Sequence, residues 1–217
     1  MRSYEKIETI FARDMEGTKK LQPNVYRNET IQYLANNNWE WTEKIDGTNI
    51  RVYWDGHSVS FGGRTDSAVI PTELMNRLNE LFGGETNAQI FEQAFGNKEV
   101  ILFGEGYGRK IQKIGSAYIA DGVDFILFDV LVGDNYQSRE WVEKTAIMFG
   151  IKVVPIVGHG SLWDATNFVH RHPTSLVAHG RCEMEGIVCR PAIELRDRCG
   201  NRVIVKIKWC DIKELDI

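Results

Sequence analysis

Runs of apolar and β-branched residues constrain the fold of this chain more than any other feature. Two such runs lie in the middle of the chain, VILF at 100–103 and FILFDVLV at 125–132. Two more lie near its C-terminus, IVCRP at 187–191 and VIVKIKW at 203–209. Such runs are typical of central β-strands. Segments with helical spacing of apolar residues separate them, so the sequence predicts an α+β fold of antiparallel β-sheets with flanking helices.

Local signals predict where individual elements begin and end. Asp55-Gly56, flanked by β-rich residues, predicts a hairpin. Gly150 ends a predicted helix and is followed by a predicted strand over 152–157. Residues 1–22 carry no interpretable motif. The remaining helices are predicted at 29–37, 71–82, 88–95, 139–149 and from Ser161, and the remaining strands at 39–45, 49–55, 99–108, 124–132, 184–191 and 201–209.

Length and composition indicate a globular chain without a membrane segment. The 217 residues show no repeat or linker, so a single domain over 1–217 is predicted. No segment approaches the roughly 20 apolar residues that cross a bilayer, and residues 1–11 lack the apolar region of a secretory signal, so a cytoplasmic location is expected. Its four cysteines form no CxxC pair and are expected to be free, buried thiols. A zinc site that combines them with nearby histidines stays open, although the spacings match no standard pattern.

The charge pattern favours a local basic surface over general binding of polyanions. A net charge of −4 argues against a protein that coats nucleic acid through bulk charge. The stretch 190–213, however, holds seven basic residues against three acidic ones. Both a nucleic-acid groove and a solvated charged hairpin fit this excess.

The segment Lys44-Ile45-Asp46-Gly47-Thr48-Asn49 lies at a turn between two predicted strands. A lysine is a poor nucleophile while it is protonated, but partial burial and nearby cations favour its neutral amine. Lys44 is therefore a candidate covalent nucleophile, although KxDG alone also fits a solvated lysine beside a turn.

Further along the chain, four short motifs contain candidate residues that would act together with Lys44. Glu105 follows a strand in a glycine-rich loop and either binds a ligand or caps a turn. Phe128 is either a stacking aromatic or part of the core. Glu185 precedes an apolar strand. In VKIK, Lys206 and Lys208 share one face of a strand, where their repulsion favours a bound anion such as a triphosphate.

This ordered series resembles the motifs of the covalent nucleotidyltransferases, the superfamily of ATP-dependent DNA and RNA ligases and capping enzymes. Within it, the chain is most similar to the RNA ligase 2-like family, and three segments carry that similarity: KIDGTN at 44–49, FGGRT at 61–65, and GYG at 106–108 with IQK at 111–113. The chain continues for nine residues after Lys208, so no OB-fold domain is expected there.

The resemblance implies an ATP-dependent RNA ligase that forms a covalent lysine–AMP at Lys44, with Lys206 and Lys208 stabilising the phosphate charge. Mg²⁺ is expected at Glu185 and Asp46. AMP would pass to a 5′-phosphate, and a 3′-hydroxyl would then displace it. The residues implied to bind ATP are Glu43, Ile45, Asn49, Arg64, Glu105, Phe128 and Glu185, together with Lys206 and Lys208.

The expected partner is RNA, in a nicked duplex or an RNA/DNA hybrid. The candidate polynucleotide contacts are Arg109, Lys110, Lys113, Arg190 and Arg202, each of which also fits ordinary surface charge. Three other readings stay open: a minimal DNA ligase, a GTP-using capping enzyme, and a non-catalytic or partner-dependent nucleotide-binding subunit. The intact Lys44 argues against a pure binding module, which has no need of a nucleophile.

Overall fold

The computed structural model describes residues 1–215, and the chain divides into two compact units. The six-stranded unit comprises Met1–Glu5, Asp46–Val154 and Val177–Gly180. The five-stranded unit comprises Lys6–Ile45, Pro155–Leu176 and the chain from Arg181 onward. The names refer to the main sheet of each unit. That residues 1–217 form one nucleotidyltransferase domain stays a prediction.

The strands, in chain order, are β1 (Glu8–Thr9), β2 (Phe11–Arg13), β3 (Leu21–Tyr26), β4 (Trp39–Lys44), β5 (Thr48–Trp54), β6 (Val59–Gly62), β7 (Val100–Gly108), β8 (Val123–Val132), β9 (Asn135–Tyr136), β10 (Lys152–Val153), β11 (Ile156–Gly160), β12 (Gly186–Pro191) and β13 (Val205–Lys208). The helices are α1 (Glu29–Leu34), α2 (Thr72–Phe82), α3 (Gly84–Phe95), α4 (Gly115–Tyr118), α5 (Arg139–Phe149), α6 (Leu162–His170) and α7 (Trp209–Ile212).

The five-stranded unit is built on a sheet of order β1-β13-β12-β4-β11, with β2 and β3 paired separately. Its pairs are antiparallel except β1 with β13, which run parallel. The inward residues of β4, β12 and β13, such as Trp39, Ile187 and Ile207, are almost fully buried in one cluster with residues of α6. This packing fixes the three central strands side by side, and with them the residues at their ends.

The six-stranded unit has the sheet order β10-β8-β7-β5-β6, with β9 paired to β8. Helices α2, α3 and α5 cover one sheet face, where Leu74, Leu78, Phe82 and Phe91 are fully buried. These residues recur at helical spacing, which is why a single stripe of α2 enters the core. The opposite face carries a smaller cluster that includes Phe103.

The predicted α+β class with antiparallel sheets is confirmed, and most element boundaries agree within a few residues. Helix α5 spans 139–149 as predicted and ends at Gly150, whose φ of 61° is the left-handed conformation that glycine favours. The hairpin at Asp55-Gly56 forms, with Trp54 opposite Val59. Helix α1 ends three residues earlier than predicted, and α3 begins four residues earlier.

The predicted strand over 152–157 is wrong, because the segment forms two strands that belong to different sheets. Lys152–Val153 joins β8, and Ile156–Gly160 joins β4. Pro155 lies between them and has no N–H with which to continue a ladder. The N-terminal segment also forms β1, β2 and the start of β3, which no sequence motif indicated. The β1–β13 and β8–β10 pairs are parallel, a departure from uniformly antiparallel sheets.

The structure of residues 1–215 bears on three expectations: the burial of the cysteines, a zinc site and a membrane segment. Cys182 and Cys189 are buried, whereas Cys199 and Cys210 are exposed, so burial was predicted wrongly for the latter two. Within residues 1–215, no group of three or more His, Cys, Asp or Glu side chains could hold a metal ion. No helix among the same residues has the length and apolar character needed to cross a bilayer.

Candidate active site

Strand pairing brings the candidate nucleophile and one of the two paired lysines to the same end of the five-stranded sheet. Lys44 is the last residue of β4 and lies opposite Gly186 of β12. On the other side of β12, Gly186 lies opposite Lys208 of β13. Because directly opposed residues on neighbouring strands are close in space, Lys44 and Lys208 flank the start of β12.

Glu185, the residue before β12, bridges the two lysines. Lys44 Nζ donates to Glu185 Oε2 at 2.6 Å, and Lys208 Nζ lies 2.6 Å from the other oxygen, Oε1. The three side chains retain 27%, 30% and 14% exposure for Lys44, Lys208 and Glu185. Two positive charges and one negative charge leave this cluster, which we call the lysine–glutamate triad, with a formal excess of one positive charge.

The electrostatic balance of the triad is visible in the pKa of Lys208. Burial lowers this pKa, but the hydrogen bond and the charge of Glu185, together with the charges of Cys210 and Asp211, outweigh burial and raise it above its ordinary value. Lys208 is thus held as a cation at the end of β13. A cation in this position can bind a phosphate oxygen.

Gly186 allows the strands that carry the triad to approach one another. A Cβ atom at this position would lie 2.1 Å from the carbonyl oxygen of Ile207 and 2.8 Å from Cα of Lys208. No side chain fits at these distances, so glycine is required for β12 and β13 to pair as closely as they do. The glycine after Glu185 therefore has a packing role.

Lys206 lies on the same face of β13 as Lys208, as the spacing predicted. Val205 and Ile207 are buried in the core, and the two lysines are half-buried on the opposite side of the strand. Lys206 lies opposite Val188 of β12 and Thr9 of β1. Strand β13 thus presents a row of two cations, one of which belongs to the triad.

Glu43, one of the residues that the resemblance implies for ATP binding, is almost fully buried. Its side chain is 1% exposed, and as the neighbour of Lys44 in a strand it points to the opposite face. Its carboxylate accepts hydrogen bonds from Ser175 Oγ at 2.5 Å and from the Leu176 N–H at 2.9 Å. Glu43 therefore ties the end of β4 to residues 175–176. No sequence motif had indicated Ser175 as a partner of Glu43. Ile45, another residue implied to bind ATP, is also buried.

In the six-stranded unit, strand pairing brings Asn49 and Glu105 together. They lie directly opposite each other on β5 and β7. Asn49 Oδ1 is buried and has no hydrogen-bond partner within residues 1–215. A buried acceptor of this kind is costly unless a donor reaches it, and a ribose hydroxyl is such a donor.

Phe128 lies at an irregularity of β8. Phe103 lies opposite Asp129 and Gly104 opposite Leu127, so Phe128 is the extra residue of a β-bulge. Its half-buried ring packs against the aromatic cluster around Phe103, on the sheet face away from the helices. One part of the Phe128 ring therefore contacts the core, and the other part remains accessible, so both interpretations of this residue fit the structure.

Two further residues implied by the resemblance belong to loops of the same unit. Arg64 is exposed after β6. The backbone N–H of Asp46 donates to the hydroxyl of Tyr118 at 3.3 Å. The neighbouring Gly47 passes so close to β7 that a Cβ atom would lie 2.3 Å from the carbonyl oxygen of Gly106. The turn after Lys44 is therefore packed tightly against the sheet, which explains its glycine.

The candidate polynucleotide contacts differ in accessibility. Arg109, Lys110 and Lys113 are exposed, and Arg109 forms an ion pair of 2.6 Å with Asp121, which is itself 88% exposed. A surface pair of this kind is weak and readily exchanged for a phosphate.

The two C-terminal candidates are less available. Arg190 is half-buried, with its Nε 3.8 Å from Glu40. Arg202 is 3% exposed and contacts both oxygens of Glu194, at 2.6 and 3.0 Å. The charge of Arg202 is therefore balanced by Glu194 within the fold, and its assignment as a polynucleotide contact stays a prediction.

Comparison with known proteins identifies the class to which this fold and this lysine–glutamate triad belong. The model of the RNA ligase family matches residues 37–208, which include every residue of the triad. This chain belongs to the RNA ligase family. No curated protein matches the chain.

Solved structures of an RNA ligase from Naegleria gruberi share the fold. A mutant with ATP and Mn is 19% identical, covers 95% of this chain and 56% of its own, and has a TM-score of 0.66. An apo mutant is 18% identical, covers 95% of this chain and 55% of its own, and has a TM-score of 0.65. The protein with PPi is 21% identical, covers 94% of this chain and 61% of its own, and has a TM-score of 0.60. The chain thus spans between half and two thirds of these relatives.

Proposed function

We propose that this chain is the adenylation domain of an ATP-dependent RNA ligase and that Lys44 carries AMP as a covalent intermediate. The observation that carries the proposal is the lysine–glutamate triad. A lysine nucleophile, a second cation on a neighbouring strand and a carboxylate between them supply what nucleotidyl transfer needs. Family membership and the fold support the same conclusion.

In the first step, Lys44 Nζ attacks the α-phosphorus of ATP. The N–P bond forms while the bond to the bridging oxygen of pyrophosphate breaks, and pyrophosphate leaves with the electron pair. The Lys44 ammonium releases one proton to solvent before the attack and a second as the phosphoramidate forms. Lys208 and Lys206 stabilise the negative charge that develops on the phosphate oxygens.

Two transfers complete the sealing reaction. An oxygen of the RNA 5′-phosphate attacks the phosphorus of lysine–AMP and forms a 5′–5′ anhydride. The N–P bond breaks, and the Lys44 nitrogen takes up a proton from solvent and leaves as the amine. The terminal 3′-hydroxyl oxygen then attacks the 5′-phosphate, forms the phosphodiester, loses its proton and displaces AMP. Both substrates are anionic, in keeping with the formal positive excess of the triad.

A magnesium ion fits the chemistry of the donor set. Carboxylate oxygens are ligands that Mg²⁺ prefers, and it commonly keeps several waters. Both oxygens of Glu185 accept from lysines at 2.6 Å, so an ion reached through water fits this residue best. When bound, the ion would neutralise phosphate charge. Metal binding by Glu185, and by Asp46, remains a prediction.

Asn49, Arg64, Glu105 and Phe128 keep the roles that the resemblance implies, in contact with ribose, phosphate or base. For Asn49, independent support comes from its buried Oδ1, which lacks a hydrogen-bond partner among residues 1–215.

We propose Arg109, Lys110 and Lys113 as RNA contacts because they are exposed. Charge reversal at Lys110 and Lys113 should weaken RNA binding broadly. In a plot of the logarithm of the RNA binding constant against the logarithm of the salt concentration, the slope should become shallower by about one unit for each phosphate that a lysine no longer neutralises.

The deciding experiment is labelling of the protein by ATP that carries the label on its α-phosphate, in the presence of Mg²⁺. Wild-type protein and the exposed-lysine control Lys98→Ala should retain the label after denaturation, and Lys44→Ala should not. Intact mass should detect one AMP on protein that arrives already adenylated. Unlabelled, unmodified wild-type protein would overturn the adenylation step and favour a binding module or a partner-dependent subunit.

A second experiment distinguishes an RNA ligase from a minimal DNA ligase by comparing the sealing of nicks that carry a ribonucleotide or a deoxyribonucleotide at the 3′ side.

A further inference from the structure

The N-terminal segment Met1–Glu5 is attached to the sheet of the six-stranded unit by a buried arginine. Arg51 of β5 is 0% exposed. Its Nη1 donates to the carbonyl oxygens of Met1 and Arg2 at 2.9 and 3.4 Å. Arg2 in turn forms an ion pair of 3.2 Å with Asp134. These contacts order the segment across the sheet face that lies away from the helices.

Tyr4, in the same segment, contacts Phe128 and its neighbour in sequence. The ring of Tyr4 lies edge-on to Phe128 at a centroid distance of 5.0 Å and tilted against Phe103 at 4.9 Å. Its hydroxyl donates to Asp129 Oδ2 at 2.5 Å. Asp129 is 1% exposed, so this hydrogen bond serves a buried carboxylate.

The β-bulge explains why Phe128 needs such a support. In a regular strand, the ladder on both sides fixes the direction of each side chain. Phe128 is the extra residue between the Phe103–Asp129 and Gly104–Leu127 pairs, so the β7–β8 ladder does not fix it. The ring contact and the Asp129 hydrogen bond of Tyr4 hold both residues at this irregular point.

We infer that Tyr4 is a positioning residue that orients the ring of Phe128 for stacking on the base of bound ATP. The inference rests on the proposed function, since it assumes that this chain binds ATP. Edge-on aromatic pairs favour one ring orientation, and removing such a pair corresponds to about a two- to tenfold change in an equilibrium constant. Tyr4 acts through Phe128 and needs no contact with the nucleotide.

The test compares Tyr4→Ala and Tyr4→Phe in the wild-type and Phe128→Ala backgrounds. ATP affinity is measured by calorimetry. The rate of α-phosphate labelling is measured at several ATP concentrations, which gives a maximal rate constant and a half-saturating ATP concentration. Tyr4→Ala should raise the Kd for ATP and the half-saturating ATP concentration about fivefold, with the maximal rate constant little changed, because orientation of the base affects binding. Tyr4→Phe keeps the ring and loses only the Asp129 hydrogen bond, so its effect should be smaller. Tyr53→Phe, which removes an exposed hydroxyl bonded to Glu99, is the matched control and should change nothing.

The Phe128→Ala background separates positioning from general damage to the fold. If Tyr4 acts through Phe128, its substitution should have no further effect on ATP affinity once that ring is absent. Equal effects in both backgrounds, or none in either, would overturn the inference while labelling of the wild type still supports the proposed function. Wild-type protein that neither binds ATP nor becomes labelled would overturn both. If Tyr4→Ala does not fold, the Tyr4→Phe pair decides the question.

Discussion

Replacing Glu185 by glutamine removes the negative charge between Lys44 and Lys208 in the lysine–glutamate triad. The carboxylate accepts from both ammonium groups at 2.6 Å and is 14% exposed. Each ion pair has a Coulomb energy of about 6 kcal/mol at an effective dielectric constant of about 20. Desolvation of the three groups offsets most of this energy.

Charge-assisted hydrogen bonds contribute about 1.5–3 kcal/mol each after desolvation. Glutamine keeps one acceptor, and both lysines are partly solvated, so we expect Glu185→Gln to lower the free energy of unfolding by about 3 kcal/mol. For a chain of this size, that loss corresponds to roughly 6–12 °C in Tm. Thermal and urea unfolding at pH 7 measure it. Glu183→Gln, an exposed position two residues earlier, is the matched control and should change Tm by less than about 2 °C.

The pH dependence identifies the ion pair as the cause. Glu185 raises the pKa of Lys208, so this contribution to stability is fully present below the unfolded pKa of about 10.4 and is lost as the pH rises through the folded pKa. The difference in Tm between wild type and Glu185→Gln should stay constant from neutral pH to about pH 10 and shrink above it. A difference that persists unchanged above about pH 11 would falsify the electrostatic account.

Three further perturbations test the packing that supports the fold. Gly186→Ala should separate β12 from β13 and reduce both stability, by about 3 kcal/mol, and adenylation, because its Cβ would clash with backbone. Arg51→Met should cost about 3 kcal/mol in urea unfolding, since the buried guanidinium bonds Asp66 and three carbonyl oxygens. Ser161→Ala should cost about 1 kcal/mol, because the capping box of α6 loses its hydroxyl.

Each of these changes has a matched control elsewhere in the chain. Gly180→Ala introduces a Cβ atom with ordinary contact distances, and Arg109→Met removes an exposed arginine. Ser138→Ala alters an N-cap whose side chain makes no capping hydrogen bond. Similar losses in a variant and its control would show that the named contact is not the cause.

The sequence by itself determined the class of fold and the identity of the candidate nucleophile. Period-two alternation in VKIK placed Lys206 and Lys208 on one strand face, and helical spacing with Gly150 delimited α5. The ordered motifs that begin at Lys44 indicated the family. These features could be read because periodicity, turn residues and motif chemistry depend on neighbours in sequence.

Tertiary structure alone decided which charges meet. Glu185 bridges two lysines that are far apart in sequence, whereas Glu43, beside the candidate nucleophile, is buried against Ser175. Arg202 resembled a free cation in composition but is paired with Glu194. The burial of an ionisable side chain and its partner depend on strand order and on packing between distant segments. Local sequence does not encode either, so the support that Tyr4 gives to Phe128 emerged only from the fold.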